Sequence, residues 1–592
     1  MIGPLAGVDE LWVVDFEFIH PDGERPTEVH TLVALEIQTG RRIEVHGAAE
    51  LQALEAAPYR CDQSAAVVAY AAQAEMLCHL ALNWPMPRRV VDLHVEYLRH
   101  TNNGLKRDSG LLDALRGFGL SGVSVGEKTR LRQLAMRGGP YNASEARALV
   151  EYCGQDVDAT AQLLERMRPV IDWPRAEVRG EFSKSGARIQ WQGIPMDTEL
   201  INRIDTHLDS IKYGLIEAVD EFDLYEGLTF KDQRFRSFLS DTRHKYSWPA
   251  LPTGRLKMDR DTWKEQCVIY PELEPLRQLR KTMVQVRLAD LPIGKDGRSR
   301  YYLGAFNSKT GRHYPKGKEC IFAGPRWTRG LIKPTPDTAL VYVDWASAEI
   351  GIAAALSGDL NLSEAYRSGD PYLAFAKQCG AAPPEANKQS HKAVRDRFKT
   401  TTLAVNYGMG VKSLAARLDG VEARAQQLLN LHRRTYPDYW AFAKRAVDHA
   451  FRFGYLETAL GWRLGVSERT TDRSAANWPV QSTGAEILRM GCIGAHELGL
   501  NICATVHDAI LFEAPLAGLR DSVAQMEAVM ARASAAVLDG FALRAESKIV
   551  RSPDRYMDED GQEMFNRVIR CLNKAEIDHR SPFSRTTERR QT

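Results

Sequence analysis

Asp344 and Asp508 each close an apolar strand pattern, in ALVYVDWASAE and CATVHDAILFE. Between them runs Arg395-x3-Lys399-x3-Leu403-x3-Tyr407-Gly408. Phosphoryl transfer by two divalent ions needs carboxylates that hold them roughly 3.5–4 Å apart, and cations that hold the phosphates. Side chains four residues apart share one slowly drifting helix face. A face with Arg395 and Lys399 at one end and Leu403 and Tyr407 at the other suits a nucleotide: phosphates on the cations, base and sugar on the apolar end. Each piece alone has a plainer reading. Asp344 could cap a helix, Asp508 could serve a tight turn, and the stripe could be a solvated basic face.

A second group lies near the N-terminus. Asp15 and Glu17 alternate in VVDFEF, which puts both on one strand face about 7 Å apart. Two acids on an otherwise apolar strand are costly unless a cation joins them, or unless the strand is an edge with a solvated face. Tyr152-x3-Asp156 places a phenol and a carboxylate one helical turn apart. A G-x-G-x-x-G match at Gly117–Gly122 follows the helical stretch LLDALR rather than a strand. It reads as a helix end and turn, not a dinucleotide site.

These groups need elements to position them. The composition, 44% hydrophobic and 26% charged with a formal net charge of +2, is that of a globular chain. Near-neutrality neither requires nor excludes a nucleic-acid partner. At 592 residues about three or four domains are expected. The nine cysteines form no C-x-x-C pair or zinc spacing, which fits reduced cysteines. No apolar run approaches the roughly 20 residues that cross a bilayer. No basic-then-apolar leader is visible, so the cytoplasm is the expected location.

Residues 11–18 and 31–45 read as strands, and 107–168 as helices, giving a mixed α/β domain over 1–170. RPVIDWPRAE reads as a connector. Residues 178–290 are mostly helical, with one long amphipathic candidate at 197–222. Short strands and loops fill 291–345, a helical pattern after Asp344 should stop at Gly358, helices dominate from about 360 to 455, and strand-like segments return over 456–514. The end, SRTTERRQT, has a disordered composition.

On these motifs the chain resembles the family A DNA polymerases, the family of bacterial DNA polymerase I and many phage replicases. The family's first motif, Asp-Tyr-Ser-Gln-Ile-Glu-Leu-Arg, is similar to Asp344-Trp345-Ala346-Ser347-Ala348-Glu349-Ile350-Gly351. The second, Arg-x3-Lys-x3-Phe/Tyr-x3-Tyr-Gly, matches Arg395, Lys399, Tyr407 and Gly408. The third, His-Asp-Glu, matches His507 and Asp508. Thr310-Gly311-Arg312 resembles the family's primer-contacting segment, and Arg473-x3-Asn477-x3-Gln481 the helix that follows DNA in the minor groove. The N-terminal group resembles the DEDD-type 3′–5′ exonuclease with a catalytic tyrosine.

The resemblance implies an RNase H-like exonuclease domain followed by a right-hand polymerase: thumb over 171–290, palm over 291–365 and 456–592, fingers over 366–455. It implies Asp344 and Asp508 as metal ligands, and Arg395, Lys399, Leu403 and Tyr407 around the dNTP. Glu349 would exclude a ribose 2′-OH. DNA contacts fall to Arg312, Arg473, Asn477, Gln481 and His507. In the exonuclease it implies Asp15, Glu17 and Asp156 as metal ligands, Tyr152 orienting water, and Glu75 as the remaining acid with Asp92 as the alternative. Two Mg²⁺ per site are implied, with Mn²⁺ as a substitute. The expected partners are primer–template DNA and dNTPs, with a replisome or processivity factor as a further one, for a monomer that meets no membrane. No 5′-nuclease domain is expected, which suggests a phage setting. The alternative is a 3′–5′ exonuclease with a basic nucleic-acid-binding C-terminal region. The chain departs from the family pattern at Leu403, Ala509, Gly351 and Tyr372.

Overall fold

The computed structural model describes residues 7–102, 108–121, 125–241, 246–285, 288–315, 319–418 and 420–580. The C-terminal SRTTERRQT segment and Gly122 lie outside the described residues.

The N-terminal unit is built on a five-stranded mixed sheet. Its strand order is Arg42–His46, Glu28–Glu36, Glu10–Ile19, Ala65–Ala69 and Val90–Asp92. The expected strand stretch 31–45 is two antiparallel strands joined by a turn. Alternation along Glu10–Ile19 sends Leu11 and Val13 to one core, with Cys153 and Val157 of the helix Ala143–Met167. It sends Trp12, Val14 and Phe16 to a second core, under Met76 and Leu77 of the helix Gln73–Ala81. Both sheet faces are therefore covered, and Glu10–Ile19 is central. The edge-strand explanation of Asp15 and Glu17 is excluded. Gly119, just past the helix Leu111–Gly117, has φ +71°, the left-handed turn expected of a helix end.

Two expectations change. RPVIDWPRAE is a connector only up to Asp172, because Trp173–Gln192 is a helix with Pro174 in its first turn. The missing N–H of proline leaves nothing unpaired there. The single helix expected at 197–222 is two, Thr198–Thr206 and Leu208–Val219, parted at His207 with ψ 17°. The apolar positions Ile204 and Ile211, two turns apart and both buried, carry no trace of this break.

The C-terminal unit centres on a four-stranded antiparallel sheet in the order Asn501–Val506, Ala509–Pro515, Thr338–Trp345, Ala545–Arg551. The helix Asp472–Glu497 packs across it beside Leu519–Val537. A set of shorter helices fills the chain between Ala348 and Phe453. The last described helix, Gln562–Arg580, leaves the sheet and packs on Leu208–Val219. One continuous apolar core runs from Val95 to Leu572. The two units are joined by buried charge: Arg179 donates to Glu96 at 2.6 Å and to the Leu460 carbonyl at 3.0 Å.

Candidate active sites

Asp344 is the penultimate residue of its strand, opposite Ala509 on one side and Glu546 on the other. Cross-strand partners share a sheet face, so Asp344 and Glu546 project together. Asp508 follows His507, whose φ of +57° forms the turn between the last two hairpin strands. The turn brings Asp508 to the same end of the sheet as Asp344. Burial, then Asp508, then Glu546 push the Asp344 carboxyl up to about 7. A carboxylate held this way favours any cation that can join it.

Arg312 donates to both oxygens of Asp508, at 3.0 and 3.2 Å, and lies 4.0 Å from Glu349. Glu349 stands in the first turn of the helix Ala348–Ser357 and accepts from the Tyr407 hydroxyl at 3.3 Å. Burial raises the Glu349 carboxyl, and Arg312 opposes the rise.

The predicted basic helix is Lys392–Asn406. Tyr407 is its C-cap rather than its last turn, and Gly408 follows at φ +60°. A Cβ at Gly408 would lie 2.7 Å from Arg473 Cγ, so both the dihedral and the close approach require glycine. Arg473 in turn donates to the Tyr407 carbonyl. Arg395 and Lys399 flank the Tyr372 ring at 5.4 and 5.8 Å. Arg395 is also paired with Asp370, which caps the helix Pro371–Gln378. A cavity of about 650 Å³ opens between this cationic helix and the strand end. Asp344, Tyr372, Lys377, Lys388, Arg395 and Glu546 are among the residues lining it. Asp370, Lys377, Lys388 and Glu546 escaped the sequence reading. Only the helix-cap pattern at GDPY hinted at Asp370.

Arg473, Asn477 and Gln481 follow one stripe of Asp472–Glu497, beginning at its exposed N-terminal end. Gly351 is explained by packing, because a Cβ there would lie 2.4 Å from Leu543 and 2.8 Å from Tyr366. The position is filled by the core, with no room for an arginine.

In the N-terminal unit, the parallel pairing of the central strand ends at Val13–Val68. Asp15 and Glu17 lie beyond it, where a sheet opens into a crevice. The helix Ala143–Met167 brings Tyr152 and Asp156 over them. Burial first, then Asp156, pushes Asp15 up to about 8. Burial, Asp15 and Asp156 together raise Glu17. Glu75, 4% exposed in the first turn of Gln73–Ala81, is raised by burial and by Asp15. Its Oε2 is buried without a hydrogen-bond partner.

Asp92 is equally buried but fully engaged. It accepts from the backbone of Ala71, His94 and Val95 and from the Ser183 hydroxyl at 2.8 Å. Of the two, Glu75 is the carboxylate with an unpartnered oxygen, and it lies within electrostatic reach of Asp15 and Glu17. Among the described residues, no three His, Cys, Asp or Glu side chains stand in metal-binding geometry. No described helix is long and apolar enough to cross a membrane.

Residues 322–551 match the model of DNA polymerase family A. Among curated relatives, the DNA polymerase of Mycobacterium phage L5 is 24% identical over 406 residues, 66% of this chain and 65% of the phage protein. DNA polymerase I of Chloroflexus aurantiacus is 25% identical over 354 residues, 55% of this chain. The thermostable DNA polymerase I of Thermus caldophilus is 29% identical over 209 residues, 33% of this chain. The matches span 37% and 25% of those two bacterial proteins. Among solved structures, the POL domain of Pol1 from M. smegmatis, in complex with DNA primer–template and dNTP, superposes with a TM-score of 0.70. It covers 93% of this chain and 95% of that one, at 17% identity. Residues 322–551, which hold Asp344, the cationic helix and Asp508, are thus the part of the chain similar to DNA polymerase family A.

Proposed function

We propose that this protein is a template-directed DNA polymerase that adds dNTPs to a primer 3′-OH, and that its N-terminal unit is a 3′–5′ exonuclease that removes mismatched ends. The setting is replication of phage DNA. The observation that carries the polymerase reading is the meeting of Asp344 and Asp508 at one sheet end, where Asp344 lines a cavity together with Arg395, Lys377 and Lys388.

In this reading the four-stranded sheet is the palm, residues 366–455 are the fingers and 171–290 the thumb. Asp344 and Asp508 would hold two Mg²⁺, or Mn²⁺. The raised Asp344 carboxyl is the feature of this chain that fits them. Bound there, the ions would acidify the primer hydroxyl and neutralise the triphosphate and the leaving pyrophosphate. Arg395 and Lys399 bind the phosphates as charge-assisted donors. Arg395 must first leave Asp370, so dNTP entry exchanges one anionic partner for another. Glu349, held by Tyr407, occupies the space a 2′-OH would need. Arg473, Asn477 and Gln481 lie along the duplex.

In the N-terminal unit, Asp15, Glu17, Asp156 and Glu75 would hold the ions, and the unpartnered Glu75 Oε2 is the feature that fits them. Tyr152 orients the attacking water. Asp344→Ala or Asp508→Ala is expected to abolish dNTP incorporation while 3′ degradation continues. Incorporation that survives both substitutions would refute the polymerase assignment.

A further inference from the structure

The four N-terminal acids are not alone. Lys128, on the helix Val125–Arg137, places its ammonium 2.7 Å from both oxygens of Asp156. The same nitrogen lies 5.7 Å from the centre of the Tyr152 ring. The pair is largely withdrawn from water, with the two side chains 23% and 13% exposed. One turn further along, Arg132 also acts electrostatically on Glu17.

We propose that Lys128 is an internal counter-ion of the exonuclease site, which holds the carboxylates in place of a divalent ion and is displaced from Asp156 when that ion binds. The inference rests on the exonuclease reading above and goes a step beyond it. A lysine ammonium is a compact point charge on a flexible stem, so it can occupy a carboxylate site and then swing away. Both oxygens of Asp156 are committed to it, so an ion that takes Asp156 either expels Lys128 or shares its ligand with a like charge. At short range inside a partly buried site, sharing is strongly unfavourable. Asp15 and Glu17 also lie within electrostatic reach of Lys128. The buried Oε2 of Glu75, with no partner of its own, marks where the arriving ion gains a ligand that Lys128 does not use.

Lys128 is thus a positioning residue, and its signature is competition. The test uses the full chain carrying Asp344→Asn and Asp508→Asn, so that only the N-terminal site remains to bind metal. Mn²⁺ is titrated without DNA, and free ion is read by electron paramagnetic resonance. Lys128→Met is expected to tighten Mn²⁺ binding on the order of tenfold. Lys128→Arg is expected to leave binding as weak as with lysine, and the gain is expected to vanish when Asp156→Asn is added. Unfolding cannot create a gain in affinity, and Lys128→Gln supplies an independent second variant. Equal or weaker Mn²⁺ binding in both Lys128→Met and Lys128→Gln would overturn the inference while leaving the exonuclease reading intact. If neither the lysine form nor the variants bind Mn²⁺ above an Asp15→Asn/Asp156→Asn control, the metal-dependent exonuclease reading fails, and the inference with it.

Discussion

One nitrogen of Arg312, Nη2, donates to both oxygens of Asp508, at 3.0 and 3.2 Å, and lies 4.0 Å from Glu349. One guanidinium thus ties a proposed metal ligand to a proposed sugar-selecting residue, across the site a primer end would enter. Its Nε is buried without a hydrogen-bond partner, so the side chain still has a donor to offer. Arg312→Ala is expected to lower incorporation about 10- to 100-fold. Arg312→Lys is expected to recover only part of it, because lysine lacks the planar fork. Single-turnover extension rates check this, and unchanged rates in Arg312→Ala would contradict it.

The Glu349–Tyr407 contact predicts sugar selection. Glu349→Ala opens the space beside the incoming sugar, so ribonucleotide insertion is expected to rise at least about tenfold relative to deoxynucleotide insertion, a difference of about 1.4 kcal/mol. Competition between rNTP and dNTP on one template measures it. An unchanged ratio would place the selection elsewhere, with Leu403 the next residue to vary.

Asp344 sets a pH dependence whose sign can be worked out. Its folded carboxyl is raised from 3.8 to about 7. Between those values the folded protein binds a proton that the unfolded chain does not. Stability of the metal-free protein therefore falls as pH rises through that window, and the full cost is present above pH 7. Asp344→Asn removes the charge and is expected to raise the melting temperature of the metal-free protein at pH 8. The effect is about 1–2 kcal/mol after allowing for partial solvation, and it should vanish near pH 4. The buried His313 and His432, both held near 3, act in the opposite sense, because the unfolded chain alone takes up their protons on acidification. The informative quantity is thus the difference between parent and variant at each pH. A difference that does not change with pH would contradict the proposed cause.

Glu75 and Asp92 separate cleanly by experiment. Asp92 accepts hydrogen bonds from three backbone amides and a serine hydroxyl, so Asp92→Ala is expected to cost about 1–3 kcal/mol of stability by orphaning buried donors. Glu75 Oε2 has no partner to orphan, so Glu75→Ala is expected to keep or raise the melting temperature while degradation of a 3′ end falls. Loss of stability in Glu75→Ala with degradation intact would reverse the assignment.

What the sequence could reveal follows the range of its signals. Strand alternation made Asp15 and Glu17 legible as neighbours, and the four-residue spacing did the same for Arg395 and Lys399. Asp344 and Asp508 could be paired only through motif resemblance, since nothing local says that two strands far apart in sequence become adjacent in one sheet. Partners contributed by other elements were invisible for the same reason. Glu546 is set opposite Asp344 by strand register, Asp370 reaches Arg395 from another helix, and Lys128 reaches Asp156 across a helix pair. The break at His207 was hidden because buried positions keep their helical spacing through it. The proline in the first turn of Trp173–Gln192 read as a breaker because its place relative to the helix start was unknown.

In the proposed function one chain both extends and trims a primer, with Asp344 and Asp508 serving extension and the N-terminal acids serving removal. The direct measurement is extension of matched and mismatched 3′ ends on one template by the purified full chain, with and without Mg²⁺. Two variants accompany it, Asp344→Ala/Asp508→Ala and Asp15→Ala/Glu17→Ala. The parent should extend the matched end in an Mg²⁺-dependent way and excise the mismatched end before extending it. The first variant should only degrade, and the second should extend matched ends without excising mismatched ones. Extension by the first variant, or excision by the second, would contradict the proposed function.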